Sequence, residues 1–373
     1  MPAHAPDTGT DSPIWRSDRL FAWLLGITDT TVFSPVLRSR TMKKNHPKNR
    51  RQFLATLTAS STLLGGHASV FSQSWPSRPI RLVVPFPPGG GTDIAARIIA
   101  ERLALQLGQA VVIENKPGAA TAIGAMAVAN AEADGYTLLL SGSTSFTVNP
   151  AVRPKLAYDP FKQFTPLAMV ARAPLVLLTG AQSPYSTLDA LIAAATKKPG
   201  EINYATFGAG SGPHLAAEML AYAKGVKLGA IPYKGSAEST IGLIRGDVAL
   251  GIDTLAAAAP QIQAGKLRAL AVISEKRSSL LPKVPGYGEL GLSSALFDAW
   301  YAVAAPAHLP ASTQNRLLQA LHKVMNEPEV QGKLAQQSME AVVSGPQELK
   351  ATMDQEVVRY RAIVARANIR IEP

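Results

Sequence analysis

The sequence predicts an α/β fold of two lobes with a cleft between them. Three observations support this fold class: short apolar runs alternate with segments of helical periodicity, the alternation occurs in two separate blocks, and long apolar stretches join the blocks. The chain has 373 residues, enough for two domains of about 100–200 residues each. We therefore expect parallel βαβ units in each lobe.

The first block predicts strands separated by helices rich in small and apolar residues. The expected strands are 80–84, 111–113 and 136–140, and the expected helices are 94–107 and 118–131. Thr92 or Asp93 is the expected N-cap of the first helix, and Gly108 is its expected end.

The second block repeats the alternation and is followed by a helical tail. Its expected elements are helix 188–195, strand 202–206, helix 214–223, strand 230–232, helix 240–245, strand 248–252, helix 255–264 and strand 267–273. Three helices are expected after Pro306, namely 312–325, 328–338 and 346–367. Pro310, Pro328 and Pro346 stand near their starts, where the first turn of a helix tolerates proline.

Two apolar stretches are expected to cross between the lobes. They are residues 164–179 and 297–304. The second crossing returns the C-terminal helices to the first lobe. Lobe 1 is therefore expected to comprise residues 73–175 and 297–373, and lobe 2 residues 176–296, with two crossing strands as the hinge and a ligand cleft between the lobes.

Residues 42–72 have the pattern of an export signal. Met42 begins a basic segment that ends at Arg50-Arg51, and an apolar stretch and then small residues follow. The arginine pair followed by Gln52-Phe53-Leu54 resembles a twin-arginine signal, and a general secretion signal is the alternative. Because a signal normally starts a chain, we interpret residues 1–41 as an over-extended reading frame, and we expect cleavage within 68–72.

Composition narrows the class of protein. The chain has no cysteine, which excludes disulfides, thiol nucleophiles and a lipid anchor on cysteine, so we expect a soluble periplasmic protein. Of the 37 basic and 26 acidic residues, nine and four lie within residues 1–72, and the remaining body is only mildly basic. We expect no nucleic-acid partner. The histidines lack metal-ligand spacing, and no cofactor is predicted.

The sharpest local feature is the turn Pro85-Phe86-Pro87-Pro88-Gly89-Gly90-Gly91-Thr92-Asp93, between a strand and a helix. Ligands of open α/β sheets bind at the carboxyl ends of strands, and the free N–H groups of a helix N-terminus favour anions. The spacing matches neither a phosphate loop nor a dinucleotide loop. An ordinary βα turn is the alternative. The predicted ligand contacts in this turn are Phe86, Pro88, Gly89, Gly90, Thr92 and Asp93.

Two further glycine-rich turns, at 207–214 and 233–237, also stand between a strand and a helix. Three such turns meeting at one cleft would offer backbone N–H and hydroxyl donors from both lobes, which suits a small carboxylate. The predicted contacts in these two turns are Gly208, Gly210, Ser211, His214, Gly235, Ser236 and Ala237.

Two polar residues carry alternative interpretations. His214 either contacts the ligand or hydrogen-bonds the backbone in the first turn of its helix. Asp253, expected directly after a strand, either receives a ligand amine or hydroxyl or caps the following helix. His214 has no Ser, Cys or carboxylate partner in a recognisable motif, and the sequence has no nucleophile elbow, so no enzymatic activity is predicted.

Residues 75–373 resemble the substrate-binding proteins of tripartite tricarboxylate transporters, also called Bug proteins. The matching motifs occur in the family's order: Trp75 to Ile80, Val84 to Asp93, Glu114 to Ala119, Asp134 to Leu138, Asn149-Pro150, Gly210-Ser211 with His214-Leu215-Ala216, Tyr233 to Ser236, Gly246-Asp247-Val248, Asp253 and Trp300 to Pro306.

The resemblance implies a type II periplasmic binding protein that closes on an organic carboxylate. It places contacts in the first loop and in the turns 141–144, 208–211 and 235–237, which adds Ser141, Ser143 and Thr144 to the predicted site. The family holds the carboxylate largely through backbone amides, hydroxyls and ordered waters. This chain departs from the usual family pattern at 120–122 and 146–148, near the cleft, which leaves the identity of the ligand open.

The sequence thus predicts a monomeric receptor that captures a small mono- or dicarboxylate and presents it to the permease subunits of a tripartite tricarboxylate transporter. A periplasmic sensor that signals to a membrane partner is the alternative. A hydrolase or transferase would need a nucleophile–base pair, which the sequence lacks.

Overall fold

The computed structural model describes residues 75–366 and residue 368. The predicted export signal and the interpretation of residues 1–41 lie outside this part of the chain. Within it, two α/β lobes are present, each built on one sheet. In the same range no helix combines the length and the apolar character that a membrane span requires.

The elements follow the predicted alternation. The strands are β1 (Ile80–Val84), β2 (Val111–Asn115), β3 (Thr137–Gly142), β4 (Phe164–Arg172), β5 (Leu175–Gly180), β6 (Asn203–Thr206), β7 (Gly229–Pro232), β8 (Leu250–Thr254), β9 (Leu267–Val272), β10 (Trp300–Pro306) and β11 (Glu340–Ala341). The helices are α1 (Gly91–Leu107), α2 (Ala122–Ala129), α3 (Asn149–Val152), α4 (Leu188–Lys197), α5 (Gly212–Lys224), α6 (Ser236–Arg245), α7 (Leu255–Gln263), α8 (Ala311–Met325), α9 (Pro328–Gln336) and α10 (Pro346–Arg366). A π-helical turn covers Thr144–Val148.

The two sheets share one plan. Sheet 1 has the order β11-β4-β10-β3-β1-β2, and sheet 2 has the order β7-β6-β8-β5-β9. In sheet 1, β1 is parallel to β2 and β3, while β10 lies antiparallel between β3 and β4. In sheet 2, β6 is parallel to β7 and β8, while β5 lies antiparallel between β8 and β9. Each sheet thus contains one antiparallel strand between parallel ones, and the short edge strand β11 of sheet 1 is also antiparallel to its neighbour β4.

The chain passes between the sheets twice, as the two predicted crossings require. The stretch 164–179 is divided between β4 of sheet 1 and β5 of sheet 2, and the return passes through Phe297 into β10. The two crossings lie side by side, because the Ala173 N–H donates to the Ala299 carbonyl at 2.8 Å. In each sheet, the antiparallel strand inside the sheet, β10 or β5, is the one that arrives directly from the other lobe.

Two helix starts differ from the prediction. The N-cap of α1 is Gly90, and both Thr92 and Asp93 already lie inside the first turn. Helix α2 begins at Ala122 rather than at 118, because Ala119, Ala120 and Thr121 have φ of 47°, 48° and 79°. Such left-handed backbone interrupts a right-handed helix.

A third start also differs: α6 begins at Ser236, one turn earlier than the predicted 240. The predicted strand 248–252 is shifted, since β8 covers Leu250–Thr254, so Asp253 lies within the strand and not after it. The N-cap of the following helix is Thr254, whose hydroxyl accepts from the Ala257 N–H. The capping alternative for Asp253 is therefore wrong.

Both sheets have helices on their two faces, and their strands are largely buried, as expected for parallel sheets. Leu82, Leu138 and Val303 of sheet 1 are fully buried, as are Leu177 and Leu250 of sheet 2.

Some segments next to sheet 1 in the chain also pack against lobe 2. Val148 and Val152, which follow β3, contact the lobe 2 core. Helix α10 contacts the lobe 1 core through Leu349 and Met353 and the lobe 2 core through Tyr360. The predicted lobe limits at 175 and 297 remain a proposal, because these segments contact both lobes.

Candidate ligand-binding cleft

A cavity of about 70 Å³ lies between the two lobes. A single water needs about 10–15 Å³ by the same kind of measure, so the cavity has the size of a small molecule. Residues from both sheets and from the crossing segments form its wall.

Eight of the predicted site residues line this cavity: Phe86, Gly90, Thr92, Ser143, Thr144, Gly235, Ser236 and Asp253. Nine others are not part of the wall: Pro88, Gly89, Asp93, Ser141, Gly208, Gly210, Ser211, His214 and Ala237. The structure therefore brings all three glycine-rich turns to one cavity, but through only part of each turn.

In the first turn, Asp93 holds the backbone in place. Its carboxylate accepts hydrogen bonds from the Gly89 N–H at 3.0 Å, from Arg97 Nε at 2.9 Å and from Asn115 Nδ2 at 2.9 Å. Burial alone would raise the pKa of Asp93, but these hydrogen bonds hold it below its usual value. Gly89 has φ of +85°, a conformation that glycine adopts without strain. The carboxylate thus fixes the turn that leads into α1.

The start of α1 lies against lobe 2. A Cβ atom added to Gly91 would lie 2.5 Å from both Thr254 Oγ1 and Tyr301 Oη. A Cβ added to Gly90 would lie 3.9 Å from Ser236 Cβ, at ordinary contact distance. The first N–H groups of α1 have no acceptor within the helix, so the absence of a side chain at Gly91 lets them approach the opposite lobe closely.

In the second turn, the polar side chains bind the turn itself. Ser211 is the N-cap of α5, and its Oγ accepts from the Phe207 N–H at 3.2 Å and from the His214 N–H at 3.4 Å. His214 Nδ1 accepts from the Gly210 N–H at 2.9 Å. Burial, with a smaller effect of Arg153, lowers the pKa of His214 to about 4, so the ring is neutral. This geometry matches the interpretation of His214 as a backbone partner.

The residues of this turn that reach the cavity are Phe207, Gly212 and Pro213. The Gly212 N–H donates to Thr144 Oγ1 at 3.1 Å, which joins the start of α5 to the π-helical turn. Behind that turn, Ser141 Oγ lies 2.5 Å from Ser145 Oγ, which donates to Thr121 Oγ1 at 2.8 Å. Ser141 therefore belongs to a buried hydroxyl chain behind the wall.

The third turn places Ser236 at the first position of α6, beside Asp253. Ser236 Oγ donates a short hydrogen bond to Asp253 Oδ2, and the Thr254 N–H donates to Asp253 Oδ1 at 2.7 Å. Burial raises the pKa of Asp253 to about 6, and these two hydrogen bonds, together with one from the Thr254 hydroxyl, oppose the rise. Asp253 is thus a buried acid on the cavity wall.

The remaining wall residues were not among the predicted contacts. They are Pro87, Gly91, Gly142, Leu175, Phe207, Gly212, Pro213, Thr254, Phe297, Ala299, Trp300 and Tyr301. Several lie on the crossing segments, which the sequence assigned to the hinge alone. The available signal was the aromatic pair Trp300-Tyr301 inside a motif already matched to the family.

The wall offers neutral donors rather than cationic side chains. Among the described residues that line it, there is no lysine, arginine or histidine. The helices α1, α5 and α6 all begin at it, with Gly91, Gly212 and Ser236 as their first residues. Helix N-termini and hydroxyls suit a small anion.

Comparison with known proteins places the chain in a family. Residues 95–369 match the family model described as the tripartite tricarboxylate transporter family receptor. Protein BugT of Bordetella pertussis is 36% identical over 330 residues, which cover 87% of this chain and all of BugT.

Two solved structures are also similar. A protein of R. palustris with adipate has 34% sequence identity and a TM-score of 0.76, and the match covers 79% of this chain and 99% of that one. MatC of Rhodopseudomonas palustris with bound malate has 30% identity and a TM-score of 0.74, over 78% of this chain and 99% of MatC. Together with the two-lobe α/β fold, these matches show that the chain belongs to the tripartite tricarboxylate transporter receptor family, the Bug proteins, and has the fold of a type II periplasmic binding protein.

Proposed function

We propose that this protein is a periplasmic receptor that binds a small organic mono- or dicarboxylate and presents it to the permease subunits of a tripartite tricarboxylate transporter. One observation carries the proposal: three helices begin at a single small cavity that has no cationic side chain among its described wall residues. Each helix N-terminus carries a positive end of about half an elementary charge, which favours a carboxylate. The adipate and malate in the two related structures support this ligand class.

Binding is coupled to the approach of the lobes. The first loop meets lobe 2 where Gly90 faces Ser236 and where Gly235 faces Pro87, and all four residues line the cavity. A ligand that contacts both lobes favours the closed arrangement by its differential affinity for that state. The closed surface is then the signal for the membrane partner, and no covalent step takes place.

The ligand class is tested by calorimetry and thermal unfolding on the protein recovered from the periplasm. The panel contains succinate, malate, adipate and lactate, with glucose and inorganic phosphate as the non-carboxylate arms. A ligand at 100 times its Kd should raise the free energy of unfolding by about 2.7 kcal/mol. Stabilisation by phosphate or glucose, with none by any carboxylate, would refute the proposal.

The membrane partner requires a separate test. Cells that lack this chain should lose uptake of the identified radiolabelled carboxylate and regain it when the chain is restored. Chemical crosslinking with the ligand present should capture permease subunits. Capture of a signalling protein, with uptake unaffected, would favour the sensor alternative instead.

A further inference from the structure

Asp253 differs from the rest of the cavity wall. It is the one carboxylate among the described residues that line the cavity, where the other polar groups are hydroxyls and backbone amides. Its side chain is 5% exposed, and it lies near the carboxyl end of β8. Because the helix that follows is capped by Thr254, Asp253 has no role as a cap.

The hydrogen bonds of Asp253 within the protein are incomplete. An ionised carboxylate has about four acceptor sites. Ser236 Oγ occupies one at Oδ2, the Thr254 N–H occupies one at Oδ1, and the Thr254 hydroxyl is a third donor beside the carboxylate. No charged side chain among the described residues pairs with Asp253, so its charge is not balanced inside the protein. The buried carboxylate therefore has an acceptor site left for one further donor, which would stabilise its charge.

A plain dicarboxylate does not supply that donor. With a pKa of about 6, Asp253 is mostly ionised at pH 7–8. A second carboxylate or a bare methylene of the ligand placed beside it would repel the charge or leave it without a hydrogen bond. A hydroxyl or an ammonium group would donate to it.

Tyr301 supplies the complementary feature. It is 4% exposed on the same wall, and its hydroxyl, which lies near Thr92 and Thr254, has no hydrogen-bond partner of normal geometry within the described residues. Burial and the nearby charge of Asp253 raise the pKa of Tyr301, so the hydroxyl stays neutral and can donate to a carboxylate. The wall thus has a donor, Tyr301, for the carboxylate of the ligand, and an acceptor, Asp253, for a donor group on the ligand.

We propose that Asp253 determines specificity, by selecting carboxylates that carry a hydroxyl or an ammonium group on the carbon chain over those that carry neither. This inference rests on the proposed function and narrows its ligand class. The shared chemistry is a hydrogen-bond donor next to a carboxylate, as in a hydroxy acid or an amino acid.

The test compares succinate, malate and aspartate by titration calorimetry at pH 8. These four-carbon dicarboxylates differ only in the substituent at C2, which is hydrogen, hydroxyl or ammonium. We expect malate or aspartate to bind at least about tenfold more tightly than succinate, because a hydrogen bond to a charged group contributes about 1.5–3 kcal/mol. The same comparison is made with two further sets of ligands. One set is propionate, lactate and alanine, and the other is glutarate, 2-hydroxyglutarate and glutamate. The inference is tested on the set whose chain length binds most tightly.

The Asp253→Asn variant identifies the residue responsible. Asparagine keeps an acceptor for the Thr254 N–H and can donate to Ser236 Oγ, and it removes the buried charge. The ligand-free variant is therefore expected to melt at a higher temperature than the wild-type protein at pH 8. The preference for the donor-bearing ligand should fall to about threefold or less. Asp247→Asn is the matched control, because Asp247 is an exposed aspartate of lobe 2 outside the cavity wall.

Three results would overturn the inference and leave the proposed function intact. The first is equal affinity for succinate, malate and aspartate, and the second is a preference that persists in Asp253→Asn. The third is uptake of a proton when succinate binds, measured by calorimetry in two buffers. Binding of phosphate or glucose, with no member of any carboxylate set bound, would instead refute the proposed function.

Discussion

Replacing Glu356 with glutamine should remove a pH-dependent loss of stability. Glu356 lies on α10 with 7% exposure, and its two carboxyl oxygens contact Trp300 Nε1 at 2.9 Å and Thr147 Oγ1 at 2.8 Å. The Thr147 hydroxyl is also 3.0 Å from the Ser143 carbonyl. Its single hydrogen can serve only one of these acceptors. When Glu356 is protonated, its own O–H can donate to Thr147, and all the groups are paired.

The size of the effect follows from the shift in pKa. Burial raises the pKa of Glu356 from 4.5 to about 7, against the opposing hydrogen bonds from Thr147 and Trp300. The folded protein therefore retains a proton that the unfolded chain releases as the pH rises from 4.5 to 7. The stability is fully present below pH 4.5 and is lost as the pH rises through 7. At about 1.4 kcal/mol per pKa unit, the loss is about 3 kcal/mol.

The assay is urea unfolding of the wild-type protein and Glu356→Gln at pH 4.5, 6 and 8. Glutamine cannot ionise, and it can donate to Thr147 while it accepts from Trp300. We expect the variant to gain about 3 kcal/mol relative to the wild-type protein between pH 4.5 and pH 8, because all other titrating groups cancel in the difference. Glu348→Gln, at an exposed position of the same helix, is the control for loss of one charge. A stability difference that does not change with pH would refute the reasoning.

Three further predictions concern the cleft. Gly91→Ala places a methyl group 2.5 Å from Thr254 Oγ1 and should weaken carboxylate binding by about 5- to 100-fold. Gly90→Ala should change the affinity by less than about twofold. Equal affinities of the two variants in calorimetry would contradict the close approach of Gly91 to lobe 2. Asp93→Ala removes the acceptor of four hydrogen bonds, one from the Gly89 N–H, two from Arg97 and one from Asn115. It should lower the free energy of unfolding by about 1–3 kcal/mol in chemical denaturation. A loss under about 0.5 kcal/mol would show that the turn is held by other contacts. Lowering the pH from 8 to 5.5 protonates Asp253, whose pKa is about 6, so the ratio of the affinities for malate and succinate, measured by calorimetry, should fall toward one. The same titrations with Asp253→Asn correct for titration of the ligands. An undiminished preference for malate at pH 5.5 would count against an ionised Asp253.

The fold was largely predictable because its signals are local. A strand, a glycine-rich turn and a helix with apolar periodicity each occupy a short stretch of sequence, and the turn residues Gly90, Thr92, Gly235 and Ser236 follow from that order. The start of α2 was not predictable in this way. Small residues from 118 onward favour a helix, but Ala119 to Thr121 adopt left-handed backbone that alanine and threonine seldom take.

The candidate site was less predictable than the fold, because a polar side chain at a helix start has two uses. Asp93 and Ser211 both turn back to bind backbone N–H groups, although their positions are equally suited to a ligand. Trp300 and Tyr301 were missed for a different reason. Which side of a crossing strand faces the cleft depends on how the lobes are arranged, and the sequence alternation does not contain that information.

The exchange of antiparallel strands between the sheets sets an order for folding during synthesis. Sheet 2 has all its strands once the ribosome has made residue 272, since β5 to β9 are contiguous in the chain. Sheet 1 is begun first, but its strands β3 and β4 do not pair with each other, because β10 lies between them in the finished sheet. That strand is complete only when residue 306 has been made. An unpaired edge of that kind favours association with other chains. Sheet 2 is thus the first sheet that can be completed on the nascent chain, and sheet 1, which begins earlier, keeps an unpaired edge until residue 306 has been made.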